Sequence, residues 1–585
     1  MVPRYSTTLI VYAVLTVAVT SAQSGAPAQQ PSRDTPAQQQ ATPPPSGAIS
    51  GRVLTADTGR PVKRARVFVT SPALQEGRAA MTDDSGAFEL TGLPAGRYSV
   101  TAAKTGFITL SYGQRRPLQP GTPLQLDDHQ QIKGLDFRLP RGGVISGHVF
   151  DEDGEPMPGA FVRVLRYEYL QGDRRLVPAG GGQTDDRGAY RVWGLNPGEY
   201  YVNVTVRTFG GGRFAFGFGR GGFGPGGGPA AAGPDDEELG YAPTYFPGVS
   251  SPGDARAIPL DVSQEVDNID FGIQLVHTAR ISGVVDNPDG TATSSGNIML
   301  MPDNGAAAVR GRGQIGMMYG ARIQWDGTFV VVNVPPGRYT LRARGNDTDP
   351  PQWAEQPISI NGVDVSGVTV ILQPGATVSG SVAFQATGAQ SSADPTQVRI
   401  VAASVGQDAI GPIASARADK DGRFTLDGVP AGMHLLRANG VPRGWMLKSV
   451  MAGGQEIVDS PIELRAGQKL SGVTFVFTDR LTQVSGTVAT TTGTPVTDVT
   501  VLAFPTDTSL WRPQSRQIMT ARPDQNGMFQ LRGLPPGEYY LVPIDPSEPG
   551  EWFEPAFLQQ HQTDAVRFTL GEGETRTQDL RVSGQ

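Results

Sequence analysis

The feature that most constrains this chain is one strand–turn–strand signature that occurs five times. The copies are DDSGAFELTGLPAGRYSV (83–100), DDRGAYRVWGLNPGEYYV (185–202), QWDGTFVVVNVPPGRYTL (324–341), DKDGRFTLDGVPAGMHLL (419–436) and DQNGMFQLRGLPPGEYYL (524–541). Their anchoring glycines, Gly86/Gly96, Gly188/Gly198, Gly327/Gly337, Gly422/Gly432 and Gly527/Gly537, stand ten residues apart in every copy. Phe88 and Leu90 alternate with polar residues, as do Tyr190 and Val192, which places them on one face of a strand. Pro and Gly then reverse the chain, Pro by fixing φ and Gly by tolerating φ > 0, so the motif reads as a hairpin whose return strand begins at Tyr98 and Val100. The site of Gly92 is Gly194, Asn333, Gly428 and Gly533 in the other copies. Asn is, after Gly, the residue that best tolerates a left-handed backbone, so the site demands φ > 0.

Each copy lies in a longer unit. The units open with ISGRV (49–53), ISGHV (145–149), ISGVV (281–285), VSGSV (378–382) and VSGTV (484–488). They close with LDFRL (135–139), IDFGIQL (269–275), VTVIL (368–372), VTFVF (473–477) and DLRV (579–582). Short strands with turn signals at regular spacing imply antiparallel sandwiches. The expected fold class is all-β, a tandem array of five antiparallel β-sandwich modules of transthyretin or immunoglobulin-like type. Their expected ranges are 47–140, 141–279, 280–375, 376–481 and 482–585. The few residues between one closing strand and the next opening strand predict abutting modules that form a rod with limited bending. A low-complexity Gly-Phe-Arg stretch at 208–233 reads as a loop inserted in the second module.

At the N-terminus, Arg4, the apolar run 7–20 and the small residues of Thr20-Ser21-Ala22 read as a signal peptide, 1–22. The rival reading is an uncleaved anchor. A Pro/Gln-rich linker follows at 23–46. No later segment has 18 consecutive apolar residues, so no membrane span is expected in the mature chain. The expected location is exported: periplasmic, cell-surface or secreted. The sequence contains no cysteine, which removes disulfides, thiolate metal sites and cysteine nucleophiles together. A net charge of −7 spread over 585 residues argues against a nucleic-acid partner.

The units resemble the carboxypeptidase regulatory-like domain, a transthyretin-type sandwich grouped with carbohydrate-binding-like folds. The resemblance rests on ISGxV, on Ala65-Arg66-Val67 and Ala160-Phe161-Val162, on DxxGxFxLxGLPxGxYxL, and on Ala103-Lys104-Thr105-Gly106-Phe107. It spans about 49–582 and implies a fold, not an activity. Related collagen-adhesin repeats use a Lys–Asn isopeptide bond, but the opening strands here contain no Lys, so that bond is not carried over.

No catalytic constellation is legible. His129, His148, His277, His434 and His561 are scattered, with no HExxH, G-x-S-x-G or Walker A pattern, so no enzyme, metal or cofactor is expected. His434 stands where the other copies have Tyr98, Tyr200, Tyr339 and Tyr539, which marks it as a packing residue. The Asp-rich turns (Asp83, Asp185, Asp419, Asp151) lack the spacing of a calcium loop and read as caps of their own backbone. Exposed aromatics are the better lead for ligand binding: Trp193, Trp325, Tyr241, Tyr245 and Trp552. For these the competing explanation is packing between modules. The expected function is a non-enzymatic extracytoplasmic scaffold or adhesion-type protein, probing a surface protein as a monomer. One alternative is polysaccharide binding through the exposed aromatics. A second is an accessory module of a peptidase or outer-membrane uptake system.

Overall fold

The computed structural model describes residues 47–114, 116–117, 119–170, 172–206, 239–303, 319–388, 393–405, 414–546 and 548–582. The expected signal peptide and linker (1–46) and the Gly-rich stretch (208–233) lie outside the described residues.

The regular elements of the described chain are nearly all strands, and each copy of the signature spans two sheets. The two strands of a copy do not pair with each other. The first strands (Ala87–Leu93, Ala189–Leu195, Thr328–Val334, Arg423–Val429, Met528–Arg532) pair antiparallel with the opening strands (Gly47–Thr55, Gly143–Phe150, Ala279–Asp286, Ala376–Gln385, Gln483–Thr490). The second strands (Gly96–Ala103, Gly198–Thr205, Gly337–Gly345, Gly432–Asn439, Gly537–Ile544) pair in the opposite sheet. The motif is therefore an arch between sheets, where the sequence suggested a hairpin. The reason is burial: an arch turns the apolar faces of both strands toward one core, so Phe88 and Leu90 meet Tyr98 and Val100 across it. The arch turn uses the left-handed site as expected, with φ of 67° at Gly92, 80° at Gly194, 57° at Asn333, 71° at Gly428 and 78° at Gly533.

The opening strand pairs on its other side with the closing strand, and this pairing is parallel in all five modules. One sheet of each sandwich is thus mixed, not purely antiparallel. The Ser-Gly of the opening strand is explained by this neighbour. A Cβ at Gly51, Gly147, Gly283, Gly380 or Gly486 would lie 2.0, 2.2, 1.9, 1.7 or 2.0 Å from a carbonyl oxygen of Leu135, Ile269, Val368, Val473 or Gln578. Only glycine permits that approach.

A second device is shared by all five arches. The hydroxyls of Tyr98, Tyr200, Tyr339 and Tyr539 donate to the carbonyl four residues upstream, at 2.6 to 2.9 Å. His434 reproduces the bond with Nε2, 2.8 Å from the Pro430 carbonyl oxygen, so it replaces both the bulk and the hydrogen bond of tyrosine. The Asp-bearing turns are backbone caps: Asp83, Asp185, Asp419 and Asp524 each accept from the amides two and four residues on. In the third copy Gln324 holds that place, and Asp326 caps Thr328 instead.

Five apolar clusters follow the five copies, each drawn from its own stretch of chain. The array does not run as a rod. The fifth module touches the first, where Gln125 and Gln525 exchange hydrogen bonds (2.9 and 3.2 Å) and Gln119 donates to Asp545 (2.7 Å). It touches the second through Tyr169 and Glu554 (2.6 Å), and the fourth through Arg516, which binds both oxygens of Asp459 and the Leu447 carbonyl. The long strands Phe161–Leu170 and Asp173–Gln183 of the second module supply Tyr169, a contact that spacer length alone does not reveal.

Candidate functional site

The structure divides the five aromatic candidates. Trp193 and Trp325 are exposed, at 52% and 81% of their surface. Trp193 projects outward from the strand Ala189–Leu195 opposite Val144, beside the Arg191–Glu265 ion pair (2.8 Å). Trp325 sits in the turn that precedes Thr328–Val334. They belong to different modules and no contact brings them together. The other three are packing residues. Tyr241 and Tyr245 are buried because Leu239–Tyr241 and Thr244–Tyr245 are themselves strands, the second laid on Gly198–Thr205. The Tyr241 hydroxyl donates to Glu152 (2.7 Å), and burial pushes the Tyr245 phenol up to about 12. Trp552 packs on the second cluster of the fifth module with Leu502, Phe504 and Leu558.

A different grouping emerges from the sheet faces. On the first arch strand, the two outward positions carry Glu89 and Thr91, Arg191 and Trp193, Thr425 and Asp427, and Gln530 and Arg532 in four modules. The third module carries Val330 and Val332 there. Its opening strand adds Val284 and its closing strand Ile371, and all four side chains are at least 36% exposed. Register keeps them on one face: Ser282 lies opposite Val330, Val284 opposite Thr328 and Thr369, and Asp286 opposite Ile371. Among the described residues, six of the fourteen exposed large apolar side chains (these four with Trp325 and Val363) fall in this one module. Scattered exposed apolar residues need no explanation, but a row of them on one sheet face marks an interaction surface. The sequence carried the signal, since outward positions of an alternating strand should be polar and here two of them, Val330 and Val332, are valine.

Among the described residues, the same sheet has an open edge. It contains three strands, and its closing strand Val365–Ile371 pairs with the opening strand alone. The Leu372 amide donates to the Asp286 carbonyl, so by alternation along a parallel pair the N–H and C=O groups of Ile371 and Thr369 point away from the sheet. Gln373, next in that outward series, is already taken by Trp353, in bonds of 2.8 and 3.0 Å. Beyond that bridge a cleft of about 440 Å³ runs along the edge. It is walled by Ala354–Pro357 of the neighbouring strand, by Thr369–Ile371, and by Pro430 and Ala431 of the fourth module's arch turn. Trp353 closes its end, stacked under the Arg344 guanidinium at 5.2 Å, and its indole N–H is buried without an acceptor. Among the described residues no group of three or more His, Cys, Asp or Glu side chains is arranged to hold a metal ion.

The comparisons with known proteins bear on the modules and not on this surface. Two segments, 48–139 and 483–582, match the family model of the carboxypeptidase regulatory-like domain. No curated protein matches the chain. Solved structures similar to it include the Bacillus anthracis TIE protein, at 8% identity over 73% of this chain and 68% of that one, TM-score 0.15. The minor pilin of Streptococcus agalactiae is 14% identical over 40% of this chain and 97% of its own, TM-score 0.22. A DUF3823 family protein from Bacteroides uniformis is 14% identical over 27% and 88%, TM-score 0.14. The segments that match this family model are thus the first and last modules of the described array.

Proposed function

We propose that this chain is a non-enzymatic, extracytoplasmic binding scaffold, an array of five β-sandwich modules that presents the outer face of the third to a protein partner at the cell surface. The observation that carries the proposal is the apolar row Val284, Val330, Val332 and Ile371, where the two outward arch-strand positions of the other modules are polar except for Trp193. Its composition suits a protein surface, because a sugar ring needs polar partners around an aromatic plane. The titratable residues of the signature hold structure: the Asp caps bind their own turns and His434 binds the Pro430 carbonyl. No described helix is long and apolar enough to cross a membrane.

Polysaccharide binding remains the second reading because Trp193 presents its ring beside Arg191 and Glu265. Immobilised chain exposed to envelope proteins and to envelope polysaccharides separates the two. The scaffold reading expects capture of a protein that Val330→Glu/Val332→Glu weakens by about tenfold or more at unchanged melting. Saturable polysaccharide capture that Trp193→Ala abolishes, with the valine variant unaffected, would replace it.

A further inference from the structure

We propose that the third module takes up an extended polypeptide segment of its partner as an added antiparallel strand on the closing strand Val365–Ile371. The inference rests on the scaffold reading and names the mode of recognition. Its ground is a comparison within the chain. In the fourth module the equivalent closing strand, Lys469–Thr478, is covered on its outer side by the strand Met446–Ala452. The register equates Val368 with Val473, since they pair with the equivalent glycines Gly283 and Gly380; Thr369 then equals Thr474, and Ile371 equals Val476. In the fourth module Thr474 faces Met451 and Val476 faces Ser449, while Val450 turns inward and is fully buried. Chain from elsewhere in the same module thus fills the place that stands open beside Thr369 and Ile371.

The remaining modules manage this edge differently. Their closing strands are broken into pieces of two or three residues: Gln131–Ile132 and Phe137–Leu139, Glu265–Val266 and Phe271–Gly272, Thr575–Thr577 and Leu580–Val582. Short edges are one of the ways proteins avoid unwanted pairing, and Lys or Pro on the edge is another. Val365–Ile371 is seven residues long and contains neither charge nor proline. It is a long, uncharged edge; among the described residues no strand pairs with its outer side, the neighbouring strand Gln352–Ile360 meeting it only at the Trp353–Gln373 bridge. The cleft alongside is large enough for the inward side chains of an added strand, its volume lying in the usual range for ligand pockets. The occupant this geometry fits is an extended peptide with an apolar inward residue and no charge opposite Thr369–Ile371, bound by main-chain hydrogen bonds.

The test uses a labelled peptide with the sequence of residues 445–453, the fourth module's own cover strand, titrated with the full chain and followed by fluorescence anisotropy. The expected result is saturable binding that N-methylation at the Ser449 and Met451 positions weakens by about tenfold or more, whereas N-methylation at Val450 does not, because only the first two amides face the edge. Thr369→Pro and Ile371→Lys should weaken it by about the same factor at unchanged thermal unfolding. If Ile371→Lys impairs folding, the N-methylated peptides decide without any change to the protein. Absence of saturable binding, or binding indifferent to N-methylation and to Thr369→Pro, overturns the proposal. So does a concentration-dependent dimer lost in Ile371→Lys without peptide binding, which would assign the edge to a second copy of the chain. Capture of an envelope protein that Val330→Glu/Val332→Glu abolishes but Thr369→Pro leaves intact would remove strand addition while the scaffold reading stands.

Discussion

The third and fourth modules share the strands and the arch of the repeat and differ in what surrounds them. Both have the glycine-mediated approach of opening and closing strands, the left-handed arch residue and the upstream hydrogen bond. The fourth module finishes its mixed sheet with Met446–Ala452, buries Val450, packs Trp445 edge-on against Phe384 at 4.9 Å, and shows Arg423, Thr425 and Asp427 to solvent. Its cover strand is held from outside, since Arg516 of the fifth module donates to the Leu447 carbonyl (2.8 Å) and Lys448 pairs with Glu572 (2.9 Å). Among the described residues the third module has no cover strand; it shows valines where the fourth shows polar residues, and leaves the Trp353 indole N–H without an acceptor. The repeat builds a stable sandwich in either case; the segments between its conserved blocks decide whether the sandwich is closed or can recruit.

The largest effects should come from the shared glycine. Gly380→Val places a Cβ about where the Val473 carbonyl stands, and should cost more than about 4 kcal/mol in the fourth module. Gly283→Val meets the Val368 carbonyl in the same way but should cost less, because a closing strand without a cover can move outward. An array of modules need not unfold in one step, so both costs are read from local amide exchange. Equal costs would break the comparison.

Next in size is Arg516→Met. It strands the Asp459 carboxylate, which is only 9% exposed, and frees the Leu447 carbonyl. Loss of one partner of a buried ion pair predicts a local cost of about 3 kcal/mol. The amides of Ser449 and Met451 should then exchange faster, and the fourth module should approach the third in behaviour. Unchanged exchange there would show that the cover strand does not depend on the fifth module.

His434→Tyr restores the arch residue of the other modules and should stabilise the fourth by about 1 kcal/mol at neutral pH. Burial lowers the pKa of His434 below its ordinary 6.5, with its hydrogen bond to Pro430 opposing. The unfolded chain therefore binds the proton more tightly, and stability rises with pH through this window. That contribution is complete above about 6.5 and is lost as pH falls through 6.5 toward the folded value. Wild-type protection in the fourth module should decline from pH 7 to pH 5 more steeply than in the variant. Parallel pH profiles would contradict it. The smallest effect on stability is expected for Val330→Thr/Val332→Thr, within about 0.5 kcal/mol by thermal unfolding, because both side chains already face water.

Much of the architecture was legible because turn geometry leaves few residue choices. Asn333 among four glycines announced a left-handed site, and its φ of 57° bears this out. The alternation of Phe88 and Leu90 located a buried face correctly, and His434 proved a tyrosine substitute in its hydrogen bond as well as its position. Alternation says which way a side chain points but not which strand lies beside it, so an arch and a hairpin read alike. Whether Met446–Ala452 covers an edge is a long-range fact of the same kind. Tyr241 and Tyr245 read as exposed rings in the sequence, yet a two-residue strand pairing with Asn203 and Val204 suffices to bury Tyr245. The valines at 330 and 332 were in plain view, at positions where every other copy is polar or carries Trp193.

The central claim is that one closing strand is open where its counterpart is covered, and site-resolved amide hydrogen exchange on the isolated full chain tests it directly. The account predicts rapid exchange at Thr369 and Ile371, whose amides face off the sheet, and strong protection at Thr474 and Val476, which face Met451 and Ser449. Protection at Thr369 and Ile371 equal to that at Thr474 and Val476 would mean that the edge is already occupied, and would contradict it.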